Sequence, residues 1–260
     1  MKWINGEGYK WDKKEIHEDC PAIVSYFLAE KKSSPVIIVF PGGGYGHRAY
    51  HEGEPVAKWL NYHGFHACVA RYKVRPIEQQ ETIQQGLNMV QLVKQKMAEI
   101  PELKDQRLGV LGFSAGGHLS AMISNLSTPG LVDFQILCYP VITMGEYTHE
   151  GSRTNLLGHV PTDILIDRFS AEKQVHPNTP PAFLWSTVND ASVSVMNSYL
   201  YAQALQENRI AYELHLFPDG RHGLGLANDH LTVKQWSDLC ITWINQHFTD
   251  TTEKRSEIND

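Results

Sequence analysis

One pentapeptide constrains the fold of this chain more than any other feature, because it requires a strand before it and a helix after it. Residues 112–116 fit the pattern G-x-S-x-G, and an apolar strand pattern over 108–113 runs into a helical pattern over 115–126. So sharp a turn needs glycines two residues before and two after the serine, because side chains there would collide. The alternative is a glycine-rich turn with an incidental serine. The context favours an α/β protein with Ser114 projecting from the end of a strand.

Strand-like and helix-like segments alternate along the rest of the chain. Strand patterns cover 35–40, 65–74, 108–113, 134–141, 182–187 and 211–217, and helical patterns cover 54–63, 77–100, 115–126, 195–206 and 231–248. This alternation predicts a mostly parallel sheet with helices on both faces. Ligands of such sheets bind at the carboxyl ends of the strands. We expect a single α/β domain over 1–248, opened by an edge hairpin or meander, and a disordered polar tail over 249–260.

Charge and cysteine content exclude several classes of partner. The chain has 23 Lys and Arg against 29 Asp and Glu, so it lacks the basic excess of a nucleic-acid-binding domain. No apolar stretch approaches the roughly 20 residues that span a membrane, and the N-terminus lacks the apolar core of a signal peptide. Four cysteines without a CxxC motif are typical of free thiols in a reducing compartment. We therefore expect a cytoplasmic protein that binds neither nucleic acid nor membranes; whether it forms a homo-oligomer stays open.

A glycine-rich loop over 41–45 follows the first strong strand pattern. Glycines let the backbone approach a ligand closely, and the first N–H groups of a helix favour an anion. Gly43 and Gly44, together with Ala115, are therefore candidates for an oxyanion hole. Tyr45, directly after the glycines, is a candidate substrate contact. The alternatives are a flexible loop or a phosphate-binding turn, but His47 stands where G-x-G-x-x-G needs its third glycine, and no P-loop motif occurs.

A serine nucleophile needs a base, and the base needs an acid that orients it. His222 lies in a glycine-flanked loop after the last strand pattern, and Asp190 follows another strand pattern. The chain order of serine, aspartate and histidine is the one found in α/β-hydrolases. His222 could instead be an exposed loop histidine, and Asp190 a turn former or helix cap. Asp219 and Glu213 are the rival acids.

Other titratable residues receive plainer interpretations. His118 follows Ser114 by one helical turn and is interpreted as a packing or hydrogen-bonding residue. Two closely spaced histidine pairs exist, 47 with 51 and 63 with 66, but no HExxH or CxxC accompanies them. We therefore expect no metal and no cofactor. Glu52 and Glu54 are interpreted as acids in the first turn of a helix.

The motifs together resemble those of bacterial α/β-hydrolase serine esterases, in particular the acetyl-xylan-esterase-like group, also called endoxylanase-related lipases/esterases. The resemblance covers roughly residues 35–245 and rests on the segments 41–45, 52–55, 112–119, 139–141 and 222–225. It implies the α/β-hydrolase fold, with an eight-stranded, mostly parallel sheet, and ester hydrolysis without a cofactor. Several members of the group act on acetylated sugars.

The segment 142–181 breaks the alternation of strands and helices and predicts a small cap over Ser114. A lid for long acyl chains needs a broad apolar face, because each buried CH₂ contributes about 0.8 kcal/mol. This segment instead carries polar side chains that suit a hydroxyl-rich alcohol: Tyr147, His149, Arg153, Asn155 and His159. A solvated loop that selects nothing is the alternative.

These features predict a serine carboxylic-ester hydrolase that releases short acyl groups, such as acetyl, from a small or sugar-like substrate. Ser114 would attack the ester, His222 would act as general base and acid, and Asp190 would orient His222. An amidase, arylformamidase or oligopeptidase with the same triad is the first alternative. A non-catalytic binding protein on the same fold is the second, because a fold alone fixes no activity.

Overall fold

Eight strands and seven helices account for most of the computed structural model, which describes residues 1–7, 9, 21–29, 33–75 and 79–249. The strands are β1 (Lys2–Asn5), β2 (Ala22–Tyr26), β3 (Val36–Phe40), β4 (His66–Arg71), β5 (Leu108–Phe113), β6 (Phe134–Cys138), β7 (Ala182–Thr187) and β8 (Tyr212–Phe217). The helices are α1 (Glu54–Tyr62), α2 (Gln79–Ala98), α3 (Ala115–Leu126), α4 (Glu150–Leu157), α5 (Asp163–Phe169), α6 (Met196–Glu207) and α7 (Gln235–His247). The sequence predicted six of the strands and five of the helices.

All eight strands form one sheet in the order β1-β2-β4-β3-β5-β6-β7-β8. Every neighbouring pair is parallel except β2 with β4, where Val24 lies opposite Val69. The predicted α/β-hydrolase fold with a mostly parallel sheet is therefore confirmed. The expected edge hairpin or meander is wrong, because β1 and β2 run parallel, whereas both of those arrangements join antiparallel strands.

Two apolar layers cover the sheet, one on each face. In β3 all five side chains are buried, and they alternate between the layers: Ile38 packs toward one and Ile37 toward the other. Helices α2, α3 and α6 contribute to the first layer, and α1 and α7 contribute to the second. Cys68 and Cys138 are free thiols, as the sequence predicted, and both are buried among these apolar side chains.

The segment 142–181 is more ordered than its composition predicts. It contains α4, α5 and a 3₁₀ turn at Ala171–Gln174. Both helices begin at a side-chain cap: His149 accepts a hydrogen bond from the backbone of Ser152, and Thr162 accepts one from the backbone of Leu165. These helices have eight and seven residues, too few turns for a helical period to stand out in the sequence.

The predicted polar tail lies outside the described residues from position 250 onward. Cys20 lies outside them as well. Among the helices that the structure describes, none is both long enough and apolar enough to cross a membrane.

Candidate active site

Ser114 occupies the turn between β5 and α3 in a backbone conformation that few residues adopt. Its φ is 51° and its ψ is −118°, so the turn stores strain on the order of 1–3 kcal/mol. A Cβ on Gly112 would lie 2.2 Å from the carbonyl oxygen of Gly116, and a Cβ on Gly116 would lie 2.0 Å from that of Phe40. Both positions therefore require glycine, which is the physical reason for the pentapeptide pattern.

Three predicted residues meet at this turn. The hydroxyl of Ser114 lies 2.8 Å from Nε2 of His222, and Nδ1 of His222 lies 2.6 Å from Oδ2 of Asp190. The aspartate side chain is 1% exposed, whereas that of the histidine is 20% exposed. The acid is thus shielded from water, whereas part of the imidazole remains accessible to a ligand.

The Asp190 carboxylate is held by donors on both oxygens. While Oδ2 faces His222, Oδ1 accepts hydrogen bonds from the backbone N–H groups of Ser192 at 2.8 Å and Val193 at 3.0 Å. Burial alone would raise the pKa of Asp190, but these hydrogen bonds, led by that from His222, outweigh it and lower the pKa. The carboxylate therefore stays ionised and fixes the proton of the neutral imidazole on Nδ1, leaving Nε2 to accept from the serine.

The two rival acids have other partners. Asp219 accepts a hydrogen bond from Asn189 at 2.9 Å, and Glu213 lies 2.9 Å from Nε2 of His215. Asp190 is thus the acid that the fold brings to His222.

The glycine loop supplies backbone donors beside Ser114. Gly43 and Gly44 have φ values of 121° and 61°, and a Cβ on Gly43 would lie 2.3 Å from the carbonyl oxygen of His47. Both glycines line a cleft of about 400 Å³ together with Ser114 and His222. The N–H groups of Gly43, Gly44 and Ala115 have no acceptor within the described part of the chain. These three N–H groups therefore remain the candidates for an oxyanion hole that the sequence predicted.

Tyr45 does not contact the cleft, so the prediction that its side chain binds substrate is corrected. The left-handed backbone at Tyr45, with φ of 58°, turns its ring into the core, where it is fully buried. Its hydroxyl lies 2.6 Å from Nδ1 of His118, whose Nε2 lies 2.7 Å from the carbonyl oxygen of Phe169. His118 is a buried hydrogen-bonding residue, in agreement with its interpretation from the sequence.

Glu52 has a role at the site that the sequence analysis missed. Its buried carboxylate accepts hydrogen bonds from the N–H of Gly42 at 2.8 Å and from the hydroxyl of Tyr139 at 2.6 Å. The same hydroxyl accepts from the N–H of Gly225 at 2.8 Å, and the Tyr139 ring lies 4.9 Å from that of His222. Glu52 thus connects the glycine loop with the histidine loop. Glu52 lies in a 3₁₀ turn over Tyr50–Glu52, so it is an acid in a first helical turn, but the sequence analysis did not predict these buried contacts. Glu54 begins α1 and is a first-turn acid as interpreted.

The cap forms one wall of the cleft. His149, Gly151 and Asn155 line it, and the Asn155 amide donates to the carbonyl oxygen of Gly44 at 2.7 Å. The other polar cap residues do not line this wall. Arg153 instead pairs with Glu150, and Tyr147 and His159 are exposed.

Cation-binding groups do not cluster in this region. Among the described residues, no set of three or more His, Cys, Asp or Glu side chains could hold a metal ion. Of the histidines weighed as metal ligands, His51 lies 3.0 Å from the carbonyl oxygen of Gly223, and His66 accepts from the backbone of Leu28.

Comparison with known proteins agrees with this geometry. A model of the prolyl oligopeptidase family matches residues 78–251. The chain belongs to the prolyl oligopeptidase family of α/β-hydrolases. One similar solved structure is that of an acetyl ester-xyloside bifunctional hydrolase from Caldicellulosiruptor lactoaceticus. It is 43% identical, with a TM-score of 0.82 over 87% of this chain and 88% of that chain.

Two curated relatives of this chain are longer proteins. Endo-1,4-beta-xylanase B from Butyrivibrio fibrisolvens is 35% identical over 251 residues, covering 87% of this chain and 39% of that protein. An acetylxylan esterase from Xylanibacter ruminicola is 34% identical over 223 residues, covering 82% of this chain and 45% of that protein. The chain thus spans less than half the length of these two relatives. The predicted resemblance to acetyl-xylan-esterase-like hydrolases is confirmed.

Proposed function

We propose that this chain is a serine esterase that removes acetyl groups from acetylated sugars through an acyl-enzyme. The observation that carries the proposal is the hydrogen-bonded series from Ser114 through His222 to Asp190, which opens on a cleft. In such a series the histidine takes the serine proton as the hydroxyl attacks a carbonyl carbon.

The described residues supply each step of that reaction. As Ser114 Oγ bonds to the carbonyl carbon, its proton moves to Nε2 of His222, and the carbonyl oxygen becomes an oxyanion. The N–H of Ala115 and that of Gly43 or Gly44 would stabilise this charge. When the tetrahedral intermediate collapses, the carbon–oxygen bond to the alcohol breaks and His222 returns the proton to the leaving oxygen. Water then attacks the acyl-enzyme by the same sequence and releases acetate.

The cleft favours a short acyl group. Its volume of about 400 Å³ must hold the alcohol portion as well as the acyl chain, and its cap wall carries histidine and asparagine rather than an apolar face. The part of a longer chain that extends beyond the cleft would stay in water, so each of its CH₂ groups would forgo about 0.8 kcal/mol of transfer free energy. The names of the relatives, an acetylxylan esterase and an acetyl ester-xyloside hydrolase, support the same substrate class.

A substrate panel tests this function. The purified chain is assayed with acetylated xylo-oligosaccharide, p-nitrophenyl acetate, p-nitrophenyl octanoate and a peptide anilide, with Ser114→Ala as the control. We expect kcat/KM for the acetyl ester to exceed that for the octanoyl ester by about tenfold or more, with little cleavage of the anilide. Faster cleavage of the anilide would favour the oligopeptidase or amidase alternative. No turnover of any compound would favour a binding protein.

A further inference from the structure

His149 stands at the start of α4, where its ring faces the glycine loop. A Cβ placed on Gly44 would lie 3.7 Å from Cε1 of His149, and both residues line the cleft with Ser114 and His222. The ring is half-buried. Its position therefore puts a polar side chain from the cap beside the candidate oxyanion loop.

Hydrogen bonds on one side of the ring determine where its proton lies. The N–H of Ser152 donates to Nδ1 of His149 at 3.1 Å, and the hydroxyl of Ser152, which is fully buried, lies 2.8 Å from the same atom. A backbone N–H can only donate, so Nδ1 carries no proton. The proton of the neutral imidazole is therefore on Nε2.

The other side of the ring is available to a ligand. Within the described residues, Nε2 of His149 has no hydrogen-bond partner. The neighbouring Asn155 differs, because its amide already donates to Gly44 and its oxygen accepts from Arg75. Burial lowers the pKa of His149, and the charge of nearby His222 adds to this effect. The ring thus remains a neutral donor beside a histidine that becomes positively charged during turnover.

The identity of this capping residue points to a task besides capping. Serine, aspartate and asparagine are the usual side chains at a helix N-cap, and each would accept the Ser152 N–H from a short side chain. Histidine serves the same bond through Nδ1 and in addition extends a second nitrogen beyond the helix. That extension has no use in stabilising α4.

We propose that Nε2–H of His149 donates a hydrogen bond to an oxygen of the substrate's alcohol portion, and that this contact selects acetylated sugars over simple acetate esters. The inference rests on the proposed function. In that reaction the carbonyl oxygen is bound by backbone N–H groups, and an acetyl methyl group accepts no hydrogen bond. The alcohol portion is thus the part of the ester that can use this donor, and a sugar presents hydroxyl and ring oxygens there.

The substitution His149→Asn tests the contact and spares the cap. Asparagine accepts the Ser152 N–H as an N-cap but is too short to place a donor where Nε2 lies. We expect kcat/KM for acetylated xylo-oligosaccharide to fall by about tenfold, the usual effect of one lost hydrogen bond, with p-nitrophenyl acetate changed by less than about twofold. His159→Asn makes the same substitution at an exposed position of the cap and should leave both values unchanged.

The remaining outcomes overturn the inference. An equal loss on both substrates would mean that His149 acts only on the structure of the cap, and a thermal unfolding curve of H149N would show the same defect. Unchanged kcat/KM on both substrates would mean that the ring makes no contact. Failure of the proposed function looks different, because the wild-type chain would then hydrolyse neither acetate ester.

Discussion

Buried His118 makes the stability of this protein depend on pH in a way that can be measured. Its Nε2 lies 2.7 Å from the carbonyl oxygen of Phe169, which only accepts, so Nε2 carries the proton and Nδ1 accepts from the hydroxyl of Tyr45. A second proton on Nδ1 would face a hydroxyl already used as a donor. Burial lowers the pKa of His118 to about 4, partly opposed by the bond to Phe169.

The size of this pH effect follows from the difference between the pKa of His118 in the folded state and its pKa in the unfolded state. In the unfolded chain a histidine titrates near pH 6.5, so below that pH the unfolded state binds more protons than the folded state. The buried neutral His118 therefore makes its full contribution to the free energy of unfolding above about pH 6.5, and this contribution is lost as the pH falls toward 4. Between about pH 7.5 and about pH 4.5, His118 alone should lower the free energy of unfolding by about 2.5 kcal/mol.

Urea unfolding of the wild type and of His118→Gln at these two pH values measures this contribution. Glutamine can donate to Phe169 and accept from Tyr45 but does not titrate. The loss of stability between the two pH values should be about 2.5 kcal/mol smaller in H118Q, because all other groups contribute equally to both proteins. The exposed His159→Gln serves as the control for removing a histidine. An equal loss in wild type and H118Q would refute the reasoning.

Two further predictions concern the residues around the triad. Glu52→Gln replaces one of the two acceptor oxygens with a donor that faces either Gly42 or Tyr139. In steady-state assays kcat should therefore fall by about 10- to 100-fold, with KM nearly unchanged. An equal rise in KM would contradict a role of Glu52 in holding the glycine loop. Asp190→Asn should lower kcat by about 10⁴-fold, whereas Asp219→Asn should change it by less than about twofold. A larger effect of D219N would reverse the assignment of the acid.

Local patterns were sufficient to predict six strands of the sheet and the strand-to-helix turn that holds Ser114. The run of buried β-branched residues in β3 is ended by glycines, and Gly112 and Gly116 flank Ser114 at the spacing that the sharp turn needs. Each of these features lies within a few residues of sequence, where backbone sterics decide the conformation. These six strands and the strand-to-helix turn could therefore be predicted without knowledge of distant contacts.

The features that were missed depend on distant contacts or on unusual local conformations. Glu52 acquires its role from Gly42, 10 residues before it, and from Tyr139, 87 residues after it. The direction of Tyr45 depends on a left-handed backbone that a non-glycine residue seldom adopts. The N-cap residue of α4 is His149, and a histidine is not among the usual signals for the start of a helix.

The central claim is that Ser114 forms a covalent acyl-enzyme during hydrolysis of an acetyl ester. Mixing the protein with excess p-nitrophenyl acetate, quenching in acid within the first turnover, and mapping peptides by mass spectrometry would test it. The account predicts one acetyl group, located on Ser114, and none in Ser114→Ala, which should also lose turnover. An acetyl group on another residue, or undiminished turnover by S114A, would contradict the account.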